Sequence, residues 1–273
     1  MSDRTWSALA VVLTTLGCAA YGPRRPVADT APLRRSVAVP ASLGATLGTL
    51  VAGDPRGPRA LLVHGTPGSA EGWTDYLLEP PPGIELVALD RPGFGRSGPD
   101  GPLVRLADQA AAVAALLPDD GRRAVLVGHS LGGPIVARVA AEHADHVAAV
   151  VLLAASLDPA LERIHRLQRI GAWPPVQALL PRAIRNSNAE LMALRQQLVD
   201  LEALLPRVRA PVLIVHGSDD DLVPVANVPY LQARLSGVRC LQTRLLPGRN
   251  HFLPWNAEPE VRAAIAWAGG GPC

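Results

Sequence analysis

The chain has 273 residues, 48% of them hydrophobic, and its 26 basic and 24 acidic residues leave a formal charge of +2. This length and composition are sufficient to bury a full core as one large α/β domain with an insertion. The nearly balanced charge gives no electrostatic footprint for nucleic acid and no acidic tail, so a nucleic-acid partner is not expected.

The N-terminus carries a short apolar run, Trp6 to Leu16. The run is too short to cross a bilayer as a helix, but it has the length of the apolar region of a signal peptide. It ends in Thr15-Leu16-Gly17-Cys18, which resembles the lipobox of bacterial lipoproteins. We therefore expect residues 1–17 to be a signal peptide, Cys18 to be lipidated, and the protein to be exported and anchored to a membrane of the cell envelope. A signal without lipidation and a buried N-terminal segment are the alternatives.

Residues 18–35 are rich in proline and arginine and show little periodicity, which predicts a tether between the anchor and the folded domain. The domain is expected to start at Ser36, with early strands at 37–39 and 46–51. Export would expose Cys240 and Cys273 to an oxidising compartment. Cys240, however, falls in a predicted strand, where it reads as a small core residue, so no disulfide is expected.

Two apolar runs, Ala60–Val63 and Glu85–Leu89, each lead into a loop rich in glycine and proline. Such runs are typical of strands buried on both faces of a parallel sheet, and ligands bind beyond the carboxyl ends of these strands. The first loop is His64-Gly65-Thr66-Pro67-Gly68, in which we assign His64 a loop-orienting role. The second, Asp90-Arg91-Pro92-Gly93-Phe94-Gly95-Arg96-Ser97, receives no catalytic role.

A third apolar run, Ala124–Val127, leads into Gly-His-Ser-Leu-Gly-Gly at 128–133 and then into a helix-like segment. This is the strand, turn and helix context that gives a G-x-S-x-G motif chemical meaning, because the serine lies at the tip of a tight turn that its glycines permit. Ser130 is therefore the candidate nucleophile. In an acyl-transfer site the backbone N–H groups of Thr66 and Leu131 would hold the oxyanion. A glycine-rich turn with an idle serine is the alternative.

These three strand-and-loop units, in this order, resemble the α/β-hydrolase superfamily over residues 37–267. The resemblance implies an α/β fold with a mostly parallel eight-stranded sheet covered by helices. The core would comprise residues 36–156 and 207–273, and the alternation of predicted strands and helices in both parts agrees with it.

The strand rhythm stops between Ser156 and Pro206, where helical periodicity is broken by several prolines. In the resembled superfamily an insertion at this point covers the substrate pocket, so residues 157–206 are expected to form a small helical cap. Its arginines could attract an anionic substrate or form a solvated outer face. Helical spacing places five leucines on one face of a predicted helix in this segment: Leu191, Leu194, Leu198, Leu201 and Leu205.

Three consecutive carboxylates follow the next predicted strand, at positions 219–221. The superfamily pattern Gly-x-x-Asp-x-x-Val-Pro places Asp220 as the acid of a catalytic triad, which leaves Asp219 and Asp221 as solvated loop residues. Asp158, after the preceding strand, is an alternative that some relatives of this superfamily use.

The superfamily orders its triad as serine, acid and histidine along the chain. Of the seven histidines, only His251 follows the candidate acid, so it is the candidate general base. The predicted enzyme is a serine hydrolase in which Ser130 attacks a carbonyl, His251 moves the proton and Asp220 orients the imidazole.

The most favoured substrate class is a small or medium carboxylic ester, with a small-molecule ester as the partner. Proline-iminopeptidase-like and perhydrolase-like activities on the same residues remain open. From a different class, the chain could be a non-catalytic, surface-anchored binding protein. Metal-ligand spacings, G-x-G-x-x-G and Walker patterns are absent from the sequence, so neither a metal nor a cofactor is expected.

Overall fold

The computed structural model describes residues 21–273, so the expected signal peptide at 1–17 and lipidation of Cys18 lie outside the described residues. One eight-stranded sheet runs through this part of the chain in the order β1-β2-β4-β3-β5-β6-β7-β8. The strands are β1 Arg34–Ala38, β2 Thr46–Gly53, β3 Arg59–Val63, β4 Glu85–Leu89, β5 Ala124–His129, β6 Val147–Leu153, β7 Val212–Gly217 and β8 Leu241–Leu246.

Strand β2 pairs antiparallel with β1 and with β4, and every other neighbouring pair is parallel. This confirms the predicted mostly parallel eight-stranded sheet. The apolar runs of the sequence form β3 to β7, because parallel strands covered on both faces need apolar residues at successive positions.

Helices cover both faces of the sheet. They are α1 Thr74–Leu78, α2 Leu106–Ala114, α3 Gly132–Glu142, α4 Arg166–Gly171, α5 Pro174–Gln177, α6 Arg182–Glu202, α7 Asn227–Arg234, α8 Leu253–Asn256 and α9 Glu258–Gly269. Short 3₁₀ helices lie at Val27–Leu33, Ala41–Leu43, Ala70–Trp73, Ala144–His146 and Leu205–Arg207. Within the described part of the chain, no helix has both the length and the hydrophobicity that crossing a bilayer requires.

The sheet separates two apolar layers. Leu61 and Val63 of β3 pack into a layer with α2, α3, α6 and α7, whereas Ala60 and Leu62 pack into the opposite layer with α1 and α9. This alternation follows from the two-residue period of a strand. The parallel register then brings the carboxyl ends of β3, β5, β6, β7 and β8 to one edge, where the loops that carry the candidate site residues begin.

Residues 21–35 pack against the domain, which differs from the expected tether. The Tyr21 ring stacks on Phe252 with ring centroids 4.7 Å apart. The backbone N–H groups of Arg24 and Arg25 each donate to the buried Asp75 carboxylate at 2.9 Å. The arginines and prolines that suggested a solvated linker instead satisfy a carboxylate on α1.

The expectation of no disulfide is wrong, because Cys240 and Cys273 form one, with Cα atoms 6.2 Å apart. Strand β8 begins at Leu241, so Cys240 precedes the strand and is only half-buried. The chain after α9 returns to this end of β8, and the local sequence contains no signal of that return.

Candidate active site

Ser130 lies in the turn between β5 and α3. Its φ of 55° is in the left-handed region, and its N–H donates to the carbonyl of Leu153 on β6 at 2.9 Å. A Cβ at Gly132 would meet the carbonyl oxygen of Val63, so only glycine permits this approach of the helix to β3. The turn therefore holds the half-buried serine in a strained conformation at the edge of the sheet.

A cavity of about 650 Å³ opens at this edge. Ser130 and His251 both line it, together with Thr66 and Leu131. Its apolar wall includes Trp73, Leu161, Ile164, Leu191, Leu194, Phe252 and Trp255. The structure thus brings the candidate nucleophile, base and oxyanion donors to one solvent-accessible space.

His251 and Asp220 form a buried pair beside this cavity. The Nδ1 of His251 lies 2.8 Å from Oδ2 of Asp220, and the two residues are 7% and 6% exposed. The other carboxylate oxygen, Oδ1, accepts from the N–H groups of Leu222 and Val223 at 3.0 and 2.7 Å. Because the carboxylate accepts the Nδ1 proton, the imidazole Nε2 is left free to take a proton.

The other two acidic neighbours lie elsewhere. Asp219 and Asp221 are exposed, and Asp219 accepts from the hydroxyl of Ser218. The Asp158 carboxylate accepts from the N–H of Ala160 at 2.8 Å, at the end of β6. Among the described residues, Asp220 is therefore the carboxylate that the fold brings to His251.

Two buried histidines flank the pair. The Nε2 of His129 donates to the backbone carbonyl of His251 at 3.0 Å, and burial, with the neighbouring His251, lowers the pKa of His129 to about 3. The Nε2 of His216 donates to the carbonyl of Val223 at 2.9 Å and lies 3.5 Å from Asp220 Oδ2. Burial also lowers the pKa of His216. Both rings are neutral at neutral pH and hold the backbone around the pair.

Thr66 and Leu131 both line the cavity, and their backbone N–H groups have no protein acceptor among residues 21–273. Arg91 holds the loop that contains Thr66, because its Nη2 donates to the carbonyl of Gly65 at 2.9 Å. His64 supports the same loop, because its Nε2 accepts from the backbone N–H of Arg91 at 3.0 Å. Two such N–H groups can stabilise a developing oxyanion.

A buried polar network connects this loop to α6. Glu190 accepts from Nη1 and Nη2 of Arg91 at 2.7 and 3.0 Å, and from the hydroxyl of Thr66 at 2.7 Å. The side-chain amide of Gln109 also donates to Glu190. Glu190 was not singled out from the sequence. The available signal was its position four residues before Leu194, on the buried face of the helix.

The cavity wall also contains the carboxyl group of Glu162, which was not expected from the sequence. The hydroxyl of Ser156 donates to Glu162, and burial raises the pKa of this carboxyl group. Both residues line the cavity on the side of the helical insertion. Among the described residues, no group of three histidine, cysteine, aspartate or glutamate side chains is placed to hold a metal ion.

Comparisons by family model, by sequence and by structure agree with one another. The model of the Alpha/beta hydrolase family matches residues 60–265. The pimeloyl-acyl-carrier-protein methyl ester esterase of Edwardsiella ictaluri is 28% identical over 237 residues, covering 73% of this chain and 88% of that protein. The monoacylglycerol lipase structure from Paleococcus ferrophilus has a TM-score of 0.68 at 21% identity, covering 82% and 99% of the two chains. The enol-lactonase structure from Burkholderia xenovorans LB400 has a TM-score of 0.68 at 17% identity, covering 86% and 99%.

Proposed function

This chain belongs to the α/β hydrolase family and is a hydrolase, and we propose that it cleaves carboxylic esters through Ser130, His251 and Asp220. The observation that carries the proposal is the buried contact of 2.8 Å between His251 and Asp220, beside a cavity that Ser130 also lines. A protein that only bound a ligand would have no chemical use for an oriented imidazole next to a strained serine.

In the proposed mechanism, Ser130 Oγ attacks the ester carbonyl while His251 Nε2 takes the hydroxyl proton. Asp220 holds the imidazole through Nδ1 and stabilises its positive charge. The N–H groups of Thr66 and Leu131 hold the oxyanion, and the imidazolium returns the proton to the leaving alcohol. Water activated by His251 then attacks the acyl-enzyme, which releases the carboxylic acid and restores the serine.

The cavity supports small or medium esters as the substrate class. Its volume of about 650 Å³ is within the range of pockets that enclose small molecules. Trp73, Phe252 and Trp255 provide aromatic surface for an acyl or alcohol group. A named relative acts on a methyl ester, which agrees with ester rather than peptide chemistry.

Hydrolysis of p-nitrophenyl acetate and butyrate by the wild type and by Ser130→Ala tests the proposal. We expect kcat of the variant to fall by several orders of magnitude, because the oxyanion donors alone retain only a small part of the catalysis. Circular dichroism controls for folding. Equal turnover by two folded proteins would exclude Ser130 as the nucleophile, and a fluorophosphonate probe that fails to label the wild type would favour a binding protein.

We also propose export and lipidation at Cys18, on the sequence of residues 1–18 alone. Cys18→Ser should prevent lipid attachment and release the protein from the membrane fraction into the soluble fraction. Unchanged processing and unchanged fractionation would exclude lipidation at this position. The ester hydrolase proposal does not depend on this result.

A further inference from the structure

The helical insertion between β6 and β7 exposes an unusual share of large apolar side chains. Of the eight large apolar residues that are exposed in the described chain, five lie between positions 164 and 179. We call them the insertion surface: Ile164, Leu167, Ile170, Trp173 and Leu179. Trp173 is 62% exposed and Leu179 is 86% exposed. A concentration of exposed large apolar side chains on one short segment is a feature of interaction sites.

The local geometry explains why these side chains are not buried. Helices α4 and α5 are short, and α4 packs against both α5 and α6. Leu167 and Ile170 of α4 and Val176 of α5 line a second cavity of about 190 Å³, and Leu167 and Ile170 are also exposed to solvent. The space beneath these side chains is therefore a cavity rather than packed core, which leaves them exposed.

The same segment is positively charged. Residues 163–189 contain five arginines and neither aspartate nor glutamate, although the whole chain carries a formal charge of only +2. Two of the five, Arg182 and Arg185, contact Asp100. Within the described residues, the other three form no ion pair and are exposed: Arg163, Arg166 and Arg169.

We propose that the insertion surface docks on an anionic phospholipid membrane. Trp173 and Leu179 would enter the interface between headgroups and acyl chains, and the three unpaired arginines would contact lipid phosphates. Interleaved apolar and basic side chains, with a tryptophan, are the composition of surfaces that lie in the membrane interface. Each arginine near an anionic surface strengthens binding by about fivefold.

Charge favours a lipid surface over a second copy of this chain. A symmetric contact through the insertion surface would bring the unpaired arginines of both copies together, and like charges across an interface oppose association. An anionic bilayer satisfies the apolar and the basic side chains at once.

Docking in this way has a consequence for access to the cavity. Arg163, Ile164 and His165 belong both to this segment and to the wall of the main cavity. Docking would place that wall close to the lipid headgroups. An apolar substrate dissolved in the membrane could then reach the cavity without crossing bulk water. The docking proposal itself does not depend on the proposed esterase activity.

The test uses the full-length chain with vesicles of phosphatidylcholine alone or with added phosphatidylglycerol. Hydrogen exchange of the peptide covering 163–180 reports contact at the insertion surface itself, so it separates this contact from membrane binding through residues 1–20. We expect anionic vesicles to slow exchange in this peptide. In Trp173→Glu/Leu179→Glu, anionic vesicles should no longer slow exchange in this peptide, because each carboxylate replaces apolar surface and repels the anionic lipid.

The matched control is Leu245→Glu, which places the same charge at a residue of β8 that is 52% exposed. Its peptide 163–180 should be protected by anionic vesicles as in the wild type, and all three proteins should hydrolyse soluble p-nitrophenyl acetate equally. Unchanged exchange of 163–180 on addition of anionic vesicles to the wild type, or equal protection of this peptide in the double variant and the control, would overturn the proposal. If the wild type self-associates in the absence of lipid and the double variant does not, the insertion surface binds a second copy of the chain instead, and the proposal is wrong.

Discussion

The guanidinium of Arg91 is fully buried and paired with the Glu190 carboxylate through two hydrogen bonds, of 2.7 and 3.0 Å. The two residues are far apart in the chain, since Arg91 follows β4 and Glu190 lies in α6. Arg91 also bonds the carbonyl of Gly65, and Glu190 bonds the hydroxyl of Thr66. One ion pair therefore connects the helical insertion to the loop that carries a proposed oxyanion donor.

Removal of both partners should lower the free energy of unfolding by less than the sum of the two single removals. Glu190→Ala leaves the Arg91 charge buried and unpaired, and we expect a loss of about 3–5 kcal/mol in the free energy of unfolding. The double variant Arg91→Met/Glu190→Ala should lose less than the sum of the single variants. Urea denaturation measures both. Glu202 lies in the same helix as Glu190 and forms a partly exposed ion pair with Arg234 of α7. As a control, Glu202→Ala should lower the free energy of unfolding by under about 1 kcal/mol.

The hydroxyl of Thr66 should matter for kcat although it does not face the proposed reaction. Thr66→Val keeps the shape but removes the bond to Glu190, so the loop and its N–H can shift. A small displacement of this kind lowers kcat by roughly tenfold to hundredfold with little change in KM. Thr66→Ser should restore most of the rate on p-nitrophenyl butyrate. A valine variant as active as the wild type would show that the side chain does not position the loop.

Buried histidines should make the protein less stable in mild acid. Burial is the main cause that lowers the pKa values of His64, His129 and His216 below their usual value. Below about pH 6.5 the unfolded chain therefore binds protons that the folded chain does not, and stability falls as pH falls. For His129 this continues down to about pH 3, with a slope of up to about 1.4 kcal/mol per pH unit.

Urea midpoints measured from pH 7 to pH 5 check this dependence. His129→Gln removes one of the three groups, so its unfolding free energy should depend less steeply on pH than that of the wild type. His146→Gln changes an exposed histidine and should leave the slope unchanged. Identical slopes for the two variants would contradict the assignment of acid sensitivity to His129.

The approach of α3 to β3 should tolerate no side chain at Gly132. In Gly132→Ala the new Cβ meets the carbonyl oxygens of Val63 and His64, so the helix must shift. We expect a loss of about 1–3 kcal/mol or more in thermal or urea unfolding. Esterase activity should fall as well, because Leu131 moves with the helix. Gly101→Ala is the matched control, since no atom lies within 4 Å of its Cβ position.

The sheet could be predicted because its central strands are apolar at successive positions, which limits them to a parallel sheet covered on both sides. The triad order of the resembled superfamily, together with the loop position of His251, singled it out as the candidate base, 31 residues after the candidate acid Asp220. These inferences use local patterns and chain order. They do not need the packing of one particular side chain against another.

The remaining features depend on contacts that local patterns do not contain. Glu190 could be recognised as a partner of Arg91 only once the fold had brought α6 against the loop after β4, because the two residues are 99 positions apart in the chain. The packing of residues 21–35 depends on Asp75 of α1, which accepts their N–H groups. The Cys240–Cys273 disulfide depends on where the last residues run after α9.

Three consecutive aspartates offer a sharp test of the proposed catalytic acid. Asp220 alone contacts Nδ1 of His251, while Asp219 and Asp221 are exposed beside it. Asp220→Asn nearly preserves shape, but an amide that donates to Nδ1 would favour the tautomer with the proton on Nε2. We expect kcat to fall by about 10⁴ with KM nearly unchanged, as in other serine hydrolases.

The neighbouring substitutions Asp219→Asn and Asp221→Asn remove the same charge within one residue and serve as matched controls. Asp219→Asn should keep kcat within about twofold, because only a solvated charge is lost. Asp221 also lines the cavity, so Asp221→Asn can change KM but should keep kcat. Rates with p-nitrophenyl acetate decide the assignment. A larger loss of kcat in either control than in Asp220→Asn would move the acid to that position and refute the buried pair as the catalytic one.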